Sequence, residues 1–368
     1  MRILIITNVF GGLYSFRKEL VEKLASENEL ICALPDDPGK GWFDEIGCRF
    51  IEVPTDRRGT NPLSDYKLYK TYRRLIREVK PDVVLTYTIK PNIYGGIASA
   101  REGIPCIANI TGLGTGILNK AVLKRLITSL YRRALRKAVC VFFQNTENQR
   151  FFIDEKIVKG KNRLIPGSGV NLERHRIEEY PQNDSITRFL FIGRVMKEKG
   201  IDEFLQAADS VKKKYPKTSF DIIGRLEEDN YQTILKDYQE RGIIQFHGPQ
   251  NDVHSFIKNS HATVNPSYHE GMSNVLLESA STGRPVIASN IPGCRETFED
   301  GESGLAFEPR NAQDLTDKLI KFIELPYEKK KAMGIAGRRK VEKEFDRNIV
   351  IDAYMEEINK IRDALERR

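Results

Sequence analysis

Two glutamates eight positions apart, Glu270 and Glu278, stand in the densest run of polar chemistry in the chain, PSYHEGMSNVLLE from Pro266 onward. An apolar run ends at Asn265-Pro266. A turn through Gly271 and Met272 follows, then a stretch rich in Leu, Ala and Ser that reads as a helix. Backbone N–H groups near Ser273–Leu276, those of Ser273, Asn274 and Val275 among them, therefore open a helix N-terminus, which suits a phosphate. Glu270 precedes that helix and Glu278 lies about two turns along it. One carboxylate is placed to touch the group beyond the phosphate, and the other to reach back to a ribose hydroxyl. An ordinary strand–turn–helix with a surface glutamate meets the same pattern.

A second set of charges follows the apolar run RFLFI, in Gly193-Arg194-Val195-Met196-Lys197-Glu198-Lys199-Gly200. An arginine at a strand end and a lysine five residues on suit a diphosphate, the guanidinium as a two-pronged fork and the ammonium as a point charge. Solvated charges on a strand–helix loop are the plainer reading of the same residues. A third segment, PVIASNIPGCRETFED from Pro285, offers another strand end and leads through Glu296 to the glycine-rich turn Gly301–Leu305.

These groups must be positioned by the elements around them. Short apolar, β-branched runs alternate with amphipathic stretches of helical period. Strands are expected at 2–7, 29–34, 49–53, 82–87, 105–110 and 140–144, and again at 188–192, 219–223, 243–247, 262–265, 285–288 and 304–307. Near-continuous apolar strands alternating with helices predict buried parallel sheets. The expected fold is α/β, two Rossmann-like domains facing a central cleft, residues 1–166 and 167–349, with the last helix, about 350–368, returning to the first. A polar stretch, Glu173–Thr187, follows the Pro/Gly-rich join between them. Leu315–Arg368 reads as charge-rich helix with Gly334 and Gly337 as breakers. Ligands of such sheets bind outside the carboxyl ends of the strands.

Charge is unevenly shared. Residues 1–166 carry a net +11 and the remainder −3 within an overall +8, which points to an anionic partner for the first half. Its focus is 117–138, ILNKAVLKRLITSLYRRALRKA, with Lys120, Lys124, Arg125, Arg132, Arg133, Arg136 and Lys137 and no acid. Leu118, Val122, Leu126 and Leu130 recur at i+4, with Leu123, Ile127 and Ala134 widening the stripe, so an amphipathic helix is expected. Such a helix suits an anionic membrane surface; a domain helix with a solvated basic face is the alternative. At 100° per residue, Arg133 and Lys137 fall back on the apolar side. No nucleic-acid-binding motif accompanies the bases, so no nucleic acid partner is expected. In the same half, Asn8–Leu13, Thr86–Asn92 and Asn109–Gly116 follow strands. The glycines of the last, with Thr111, Gly112 and Gly114, suit phosphate cradling by backbone amides, and Lys90 or Arg17 neutralises it. A flexible loop is the other reading of that glycine run.

With 368 residues, 40 % hydrophobic and 30 % charged, the chain has the balance of a globular protein of two domains. No apolar run approaches the roughly 20 residues a spanning helix needs, and the first apolar run stops at Thr7-Asn8, as a strand rather than a signal peptide. Five scattered cysteines without a CxxC pair imply neither a disulfide framework nor a zinc cluster. His247, His254, His261 and His269 match no metal-ligand spacing, so no metal site is expected.

In order and spacing, these segments resemble the nucleotide-sugar-dependent glycosyltransferases of GT-B fold, in particular the retaining family 4. The paired-glutamate signature of that family is met by Glu270 and Glu278, its diphosphate-binding Arg and Lys by Arg194 and Lys199, and its tail by residues 285–304. The resemblance implies that Glu278 binds the ribose and Glu270 contacts the donor sugar. Arg194 and Lys199 then hold the diphosphate and stabilise the leaving group, while Gly193, Gly224, Arg225 and the loop His247–Val253, with Gly248, surround the base and ribose. Gly11 and Gly12 match the family's glycine-rich loop, approached by donor or acceptor. Some members place a histidine near the reacting sugar; none precedes His175 here, so that role is not carried over.

The N-terminal half resembles bacterial enzymes that extend undecaprenyl-diphosphate-linked sugars in capsule, O-antigen or glycan assembly. The implied activity is transfer from a UDP-sugar to a lipid-linked saccharide, with retention and without a metal or other cofactor. The implied location is the cytoplasmic membrane face. A glycosyltransferase with a soluble acceptor, a sugar-nucleotide epimerase and a non-catalytic binding subunit are the competing readings. A nicotinamide dehydrogenase is not supported, because TNVFGGLYSF lacks GxGxxG after the first strand.

Overall fold

The computed structural model describes residues 1–56, 59, 61–112, 121–183 and 186–367, the side chains of 121–123 excepted. Ile3, Leu4, Ile5 and Ile6 of β1 (Arg2–Ile6) are all fully buried, as in a strand covered by helices on both faces. Around it lie β2 (Glu29–Leu34), β3 (Arg49–Glu52), β4 (Val83–Tyr87), β5 (Cys106–Ile110), β6 (Cys140–Phe143) and β7 (Asn162–Leu164). They form a parallel sheet in the order β3-β2-β1-β4-β5-β6-β7. The second sheet is also parallel, β10-β9-β8-β11-β12-β13. Its strands are β8 (Thr187–Ile192), β9 (Thr218–Ile223), β10 (Gln245–Phe246), β11 (Ala262–Asn265), β12 (Val286–Ser289) and β13 (Gly304–Phe307).

Each sheet starts at an inner strand, runs outward to one edge and then resumes on the other side. The order therefore reverses between β1 and β4 and between β8 and β11. Helices leave in opposite directions at such a point, opening a crevice at the strands' carboxyl ends.

The chain divides into two compact units, Met1–Ser168 with Asn348–Arg368, and Gly169–Arg347. In the first, the helix Arg347–Glu366 contributes Val350, Ala353, Tyr354, Ile358 and Ile361 to the core under β1, β2 and β4. Glu357, almost fully buried, takes Lys161 at 2.7 Å and Arg163 at 2.8 Å. In the second, the polar stretch after Glu173 is held by Arg284. That side chain is fully buried and donates to the carbonyls of Glu178, Glu179, Lys258 and Thr282. Burial lowers its pKa to about 10.

Three expectations are corrected. β7 was not anticipated, because Asn162-Arg163-Leu164 is a half-polar edge strand bonded to one neighbour. β10 shrinks to two residues at the opposite edge. Gly334 and Gly337 do not break a helix: both lie inside the helix Tyr327–Glu344. Gly334 is small because this helix packs closely on its neighbour there: a Cβ would fall 2.0 Å from Gly283 O. The breaks come instead at Leu325-Pro326 and Phe345-Asp346. All five cysteines are buried and unpaired.

Candidate active site

The loops after β8 and β11 flank the switch point of the second sheet, and they carry the charges singled out in the sequence. Lys199 Nζ lies 2.6 Å from Glu270 Oε1, and Ser267 Oγ donates to the same oxygen at 2.8 Å. The pairing depends on a close backbone approach. Gly200 has φ 69°, and a Cβ there would sit 2.0 Å from Pro266 O, so only glycine lets the Lys199 turn press on the end of β11. Tyr268 N donates to Glu198 O at 3.0 Å, and Tyr268 Oη to Glu203 Oε1 at 2.7 Å. These bonds tie the Glu270 loop to the Lys199 turn and to the helix Ile201–Lys214.

Arg194 does not join that pair. Its Nη1 is 3.5 Å from Glu227 Oε1, and Arg225 Nη2 is 3.4 Å from Glu227 Oε2. The Arg194 side chain is 38 % exposed and that of Arg225 73 %. These contacts are long and use little of either guanidinium, so both keep donors for a phosphate. Gly224 (φ 151°) packs so tightly on Gly193 that a Cβ would fall 1.7 Å from Gly193 O, and Gly224 N donates to Gly248 O at 3.0 Å. The turns after β8, β9 and β10 are thus joined backbone to backbone. His247, expected at the base, is 2.6 Å from Asp221 Oδ1 and edge-on to Phe256. Val253 caps the helix His254–Asn259.

The helix Asn274–Ser281 starts where the sequence places it, with Ser273 at its N-cap. The Ser273 hydroxyl is not turned onto the helix amides: Asn265 Nδ2 donates to its Oγ at 2.7 Å. Ser273 N donates to Gly293 O at 2.7 Å, and Glu296 accepts from Gly293 N at 2.7 Å. The amides of Asn274 and Val275 stay free of a side-chain cap, as an anion site at a helix start requires.

Glu278 is the fifth residue of that helix, closer to its start than the sequence suggests. Its carboxyl is pushed up to about 7 by burial, against the pull of Arg347 and Arg174. His175 Nε2 is 3.9 Å from Glu278 Oε1. His269, beside Glu270, is exposed.

In the first unit Gly11 and Gly12 do not form a loop. They lie in the short helix Phe10–Tyr14, whose aromatic ends, Phe10 and Tyr14, stack on each other and edge onto Trp42. That packing favours the helical turn. Lys90 is bound to Asp65 at 2.8 Å, with both side chains largely buried, so it is not an uncommitted cation. Thr111 and Gly112 (φ 141°) follow β5, while Gly114 and Lys120 lie outside the described residues.

Two family models match consecutive parts of the chain, "Glycosyl transferase 4-like" over residues 2–145 and "Glycosyl transferases group 1" over 174–340. The chain is a glycosyltransferase, and its second part matches group 1. One relative is the N,N'-diacetylbacillosaminyl-diphospho-undecaprenol alpha-1,3-N-acetylgalactosaminyltransferase of Campylobacter jejuni, 25 % identical over 96 % of this chain and 97 % of that one. Another is the UDP-Gal:alpha-D-GlcNAc-diphosphoundecaprenol alpha-1,3-galactosyltransferase of Escherichia coli, 25 % identical over 82 % of this chain and 81 % of that one. Among solved structures, Anabaena HepE in complex with UDP and glucose superposes with a TM-score of 0.80 at 17 % identity, covering 98 % of this chain and 100 % of that one. The two parallel sheets are those of the GT-B fold.

The basic helix of this glycosyltransferase, Ala121–Leu135, buries Ile127, Leu130 and Ala134 of the expected stripe but not Leu126. Tyr131 seats edge-on against Phe152, and Ile127, Leu130, Ala134 and Leu135 join it in the core under β5 and β6. Leu126, expected inside, is 55 % exposed. The open face carries Arg125, Leu126, Ser129, Arg132, Arg133, Arg136 and Lys137 in one continuous arc, about 140° wide at 100° per residue. Arg133 and Lys137 therefore do not fall on the apolar side. Arg132 is partly committed, donating to the carbonyls of Glu155 and Lys156, and Lys124 lies over the Phe151 ring. Leu118 lies outside the described residues.

Sequence reasoning missed Ser267, Glu227 and His175 as partners of the glycosyltransferase's charged groups. Ser267, three residues before Glu270, was within reach of a local reading. Glu227 and His175 meet Arg194 and Glu278 from other loops, and no spacing signals them. Among the described residues there is no group of three or more His, Cys, Asp or Glu that could hold a metal, and no helix long and apolar enough to cross a membrane.

Proposed function

We propose that this glycosyltransferase moves a sugar from a UDP-sugar to a polyprenyl-diphosphate-linked saccharide at the inner face of the bacterial cell membrane, with retention of configuration. The observation that carries the donor half is the Lys199–Glu270 pair across the second sheet's switch point, beside a helix start whose amides are uncapped. UDP as nucleotide is supported by the Anabaena structure, and a lipid-linked acceptor by the printed activities of the Campylobacter and Escherichia coli relatives.

In this reading the bond between the sugar's anomeric carbon and the diphosphate breaks, and negative charge collects on the departing UDP. Arg194, Lys199 and the amides of Asn274 and Val275 supply fixed positive potential there, usually the largest catalytic contribution, so the step needs no metal. The acceptor hydroxyl bonds to the anomeric carbon on the face the diphosphate leaves. Its proton passes to a phosphate oxygen of the departing group. Glu270, anchored by Lys199 and Ser267, faces the donor sugar, and Glu278 accepts from the ribose.

The basic arc Arg125–Lys137 with Leu126 at its centre is the proposed membrane face. Each base near an anionic leaflet contributes about 1 kcal/mol. The test is a panel of UDP-sugars offered with a short-chain polyprenyl-diphosphate saccharide and, separately, with free saccharides. Product on the lipid-linked acceptor with one anomer only is expected; transfer to free saccharides at equal efficiency contradicts the lipid reading, and an inverted product contradicts retention.

A further inference from the structure

At the switch point of the first sheet, the residues just after β1 and β4 meet as those after β8 and β11 do in the second. Thr88 Oγ1 donates to Asn8 Oδ1 at 2.8 Å. Thr88 holds φ 72°, a left-handed conformation that is an outlier for a β-branched residue and persists where the surroundings impose it, often at ligand sites. Its neighbour Tyr87, the last residue of β4, has the Arg17 guanidinium over its ring at 4.6 Å.

Arg17 is only 7 % exposed. Nη1 donates to Gly12 O at 3.2 Å, while Nη2, wholly out of solvent, has no hydrogen-bond partner. No ion pair among the described residues neutralises it. A buried guanidinium with an unspent donor and no counter-charge is unfavourable until an anion completes it. Asn8 and Thr88 follow the same two strands, and Thr88 adjoins Tyr87, the residue beneath the Arg17 guanidinium. The Asn8 carbonyl oxygen accepts from Thr88, which leaves its amide group to donate. The other cation the sequence offered here, Lys90, is bound to Asp65.

We propose that Arg17, with the Asn8–Thr88 pair, forms a phosphate-binding subsite that receives the diphosphate of the acceptor. The assignment rests on the lipid-diphosphate acceptor of the proposed function. It gives the first unit an anion site at the topological position where the second holds Lys199 and Glu270.

The test titrates inorganic pyrophosphate into the full chain with UDP present at saturation, so that the diphosphate site of the second unit is occupied. Wild type binds pyrophosphate under these conditions, R17Q at least tenfold more weakly, and R17K in between, because ammonium keeps the charge and loses the fork. With a polyprenyl-diphosphate saccharide as acceptor, R17Q raises the acceptor KM at least tenfold, an effect on KM rather than kcat. The inference is overturned if UDP-saturated wild type binds no pyrophosphate. It is also overturned if R17Q, melting with wild type, keeps wild-type pyrophosphate affinity and acceptor KM. Should R17Q not fold, the wild-type titration and R17K decide, and R17K equal to wild type in both readouts counts against the subsite. Arginine-dependent pyrophosphate binding without turnover of any lipid-linked acceptor supports the subsite and overturns the acceptor reading it rests on.

Discussion

Lys199 Nζ and Glu270 Oε1 lie 2.6 Å apart across the point where the second sheet reverses its strand order. An ammonium has three donors, and the carboxylate holds one of them. Two remain for a phosphate, on a side chain whose position is already fixed. The pair therefore aims Lys199 before the donor arrives, so little reorganisation remains for the moment of bond cleavage.

Replacing Lys199 by Ala should lower kcat by about 100-fold or more, the scale on which one preorganised donor acts. The fold should stay intact, since Ser267 still donates to the Glu270 carboxylate. Initial transfer rates and a thermal melt on the same preparation check both halves. Turnover within threefold of wild type would remove Lys199 from the assigned role.

Glu278 makes donor binding and stability depend on pH in opposite senses. Its folded pKa, about 7, lies above the ordinary 4.5, so the native chain holds this proton more tightly than the unfolded chain. The stability it contributes is fully present below about pH 4.5 and is lost as pH rises through 7. Relative to E278Q, wild type should lose on the order of 3 kcal/mol across that window, measured by denaturant titration at several pH values. The charged carboxylate is the better ribose acceptor, so UDP affinity should rise through pH 7 in wild type and stay flat in E278Q. Parallel pH profiles for the two proteins would contradict the buried, titrating carboxyl.

What the sequence made legible followed from local rules. The runs of β1 and β8 are buried on both faces, and continuous apolar character exposes such strands. The start of the helix at Asn274 was readable because strand, turn and helix follow one another in Pro266–Ser281. Contacts that join distant loops were not readable: Glu227 reaches Arg194, and His175 reaches Glu278, from segments whose own composition is ordinary. The basic helix shows the limit of periodicity. The stripe holds at Ile127, Leu130 and Ala134, but its i+4 run puts Leu126 inside, whereas the core takes Tyr131 and Leu135 instead. Gly334 misled for a related reason, since a glycine chosen for close helix packing has the same letter as one that ends a helix.

Gly200→Ala should disrupt the donor site without touching a charged group. The new methyl meets Pro266 O at 2.0 Å, and the left-handed backbone at this position adds roughly 1 kcal/mol of strain. Separation of the Lys199 turn from β11 should weaken UDP binding at least tenfold by calorimetry. Unchanged affinity would mean that the close approach does not position the site.

Changing Arg125, Arg133 and Arg136 together to Gln should weaken binding to anionic vesicles by about 3 kcal/mol, roughly 100-fold, at about 1 kcal/mol per base. These three are exposed and project from the open arc, so transfer to a water-soluble short-chain acceptor should be retained. Sedimentation with phosphatidylglycerol vesicles at low and high salt provides the measurement. Equal sedimentation of the two proteins would contradict the membrane face.

The most direct measurement is a structure of the full chain with uridine diphosphate bound. The predicted result puts phosphate oxygens within hydrogen-bond distance of Lys199 Nζ and Arg194, with the amides of Asn274 or Val275 closing the other side and the ribose against Glu278. A nucleotide seated elsewhere, or a diphosphate that touches neither cation, would contradict the account.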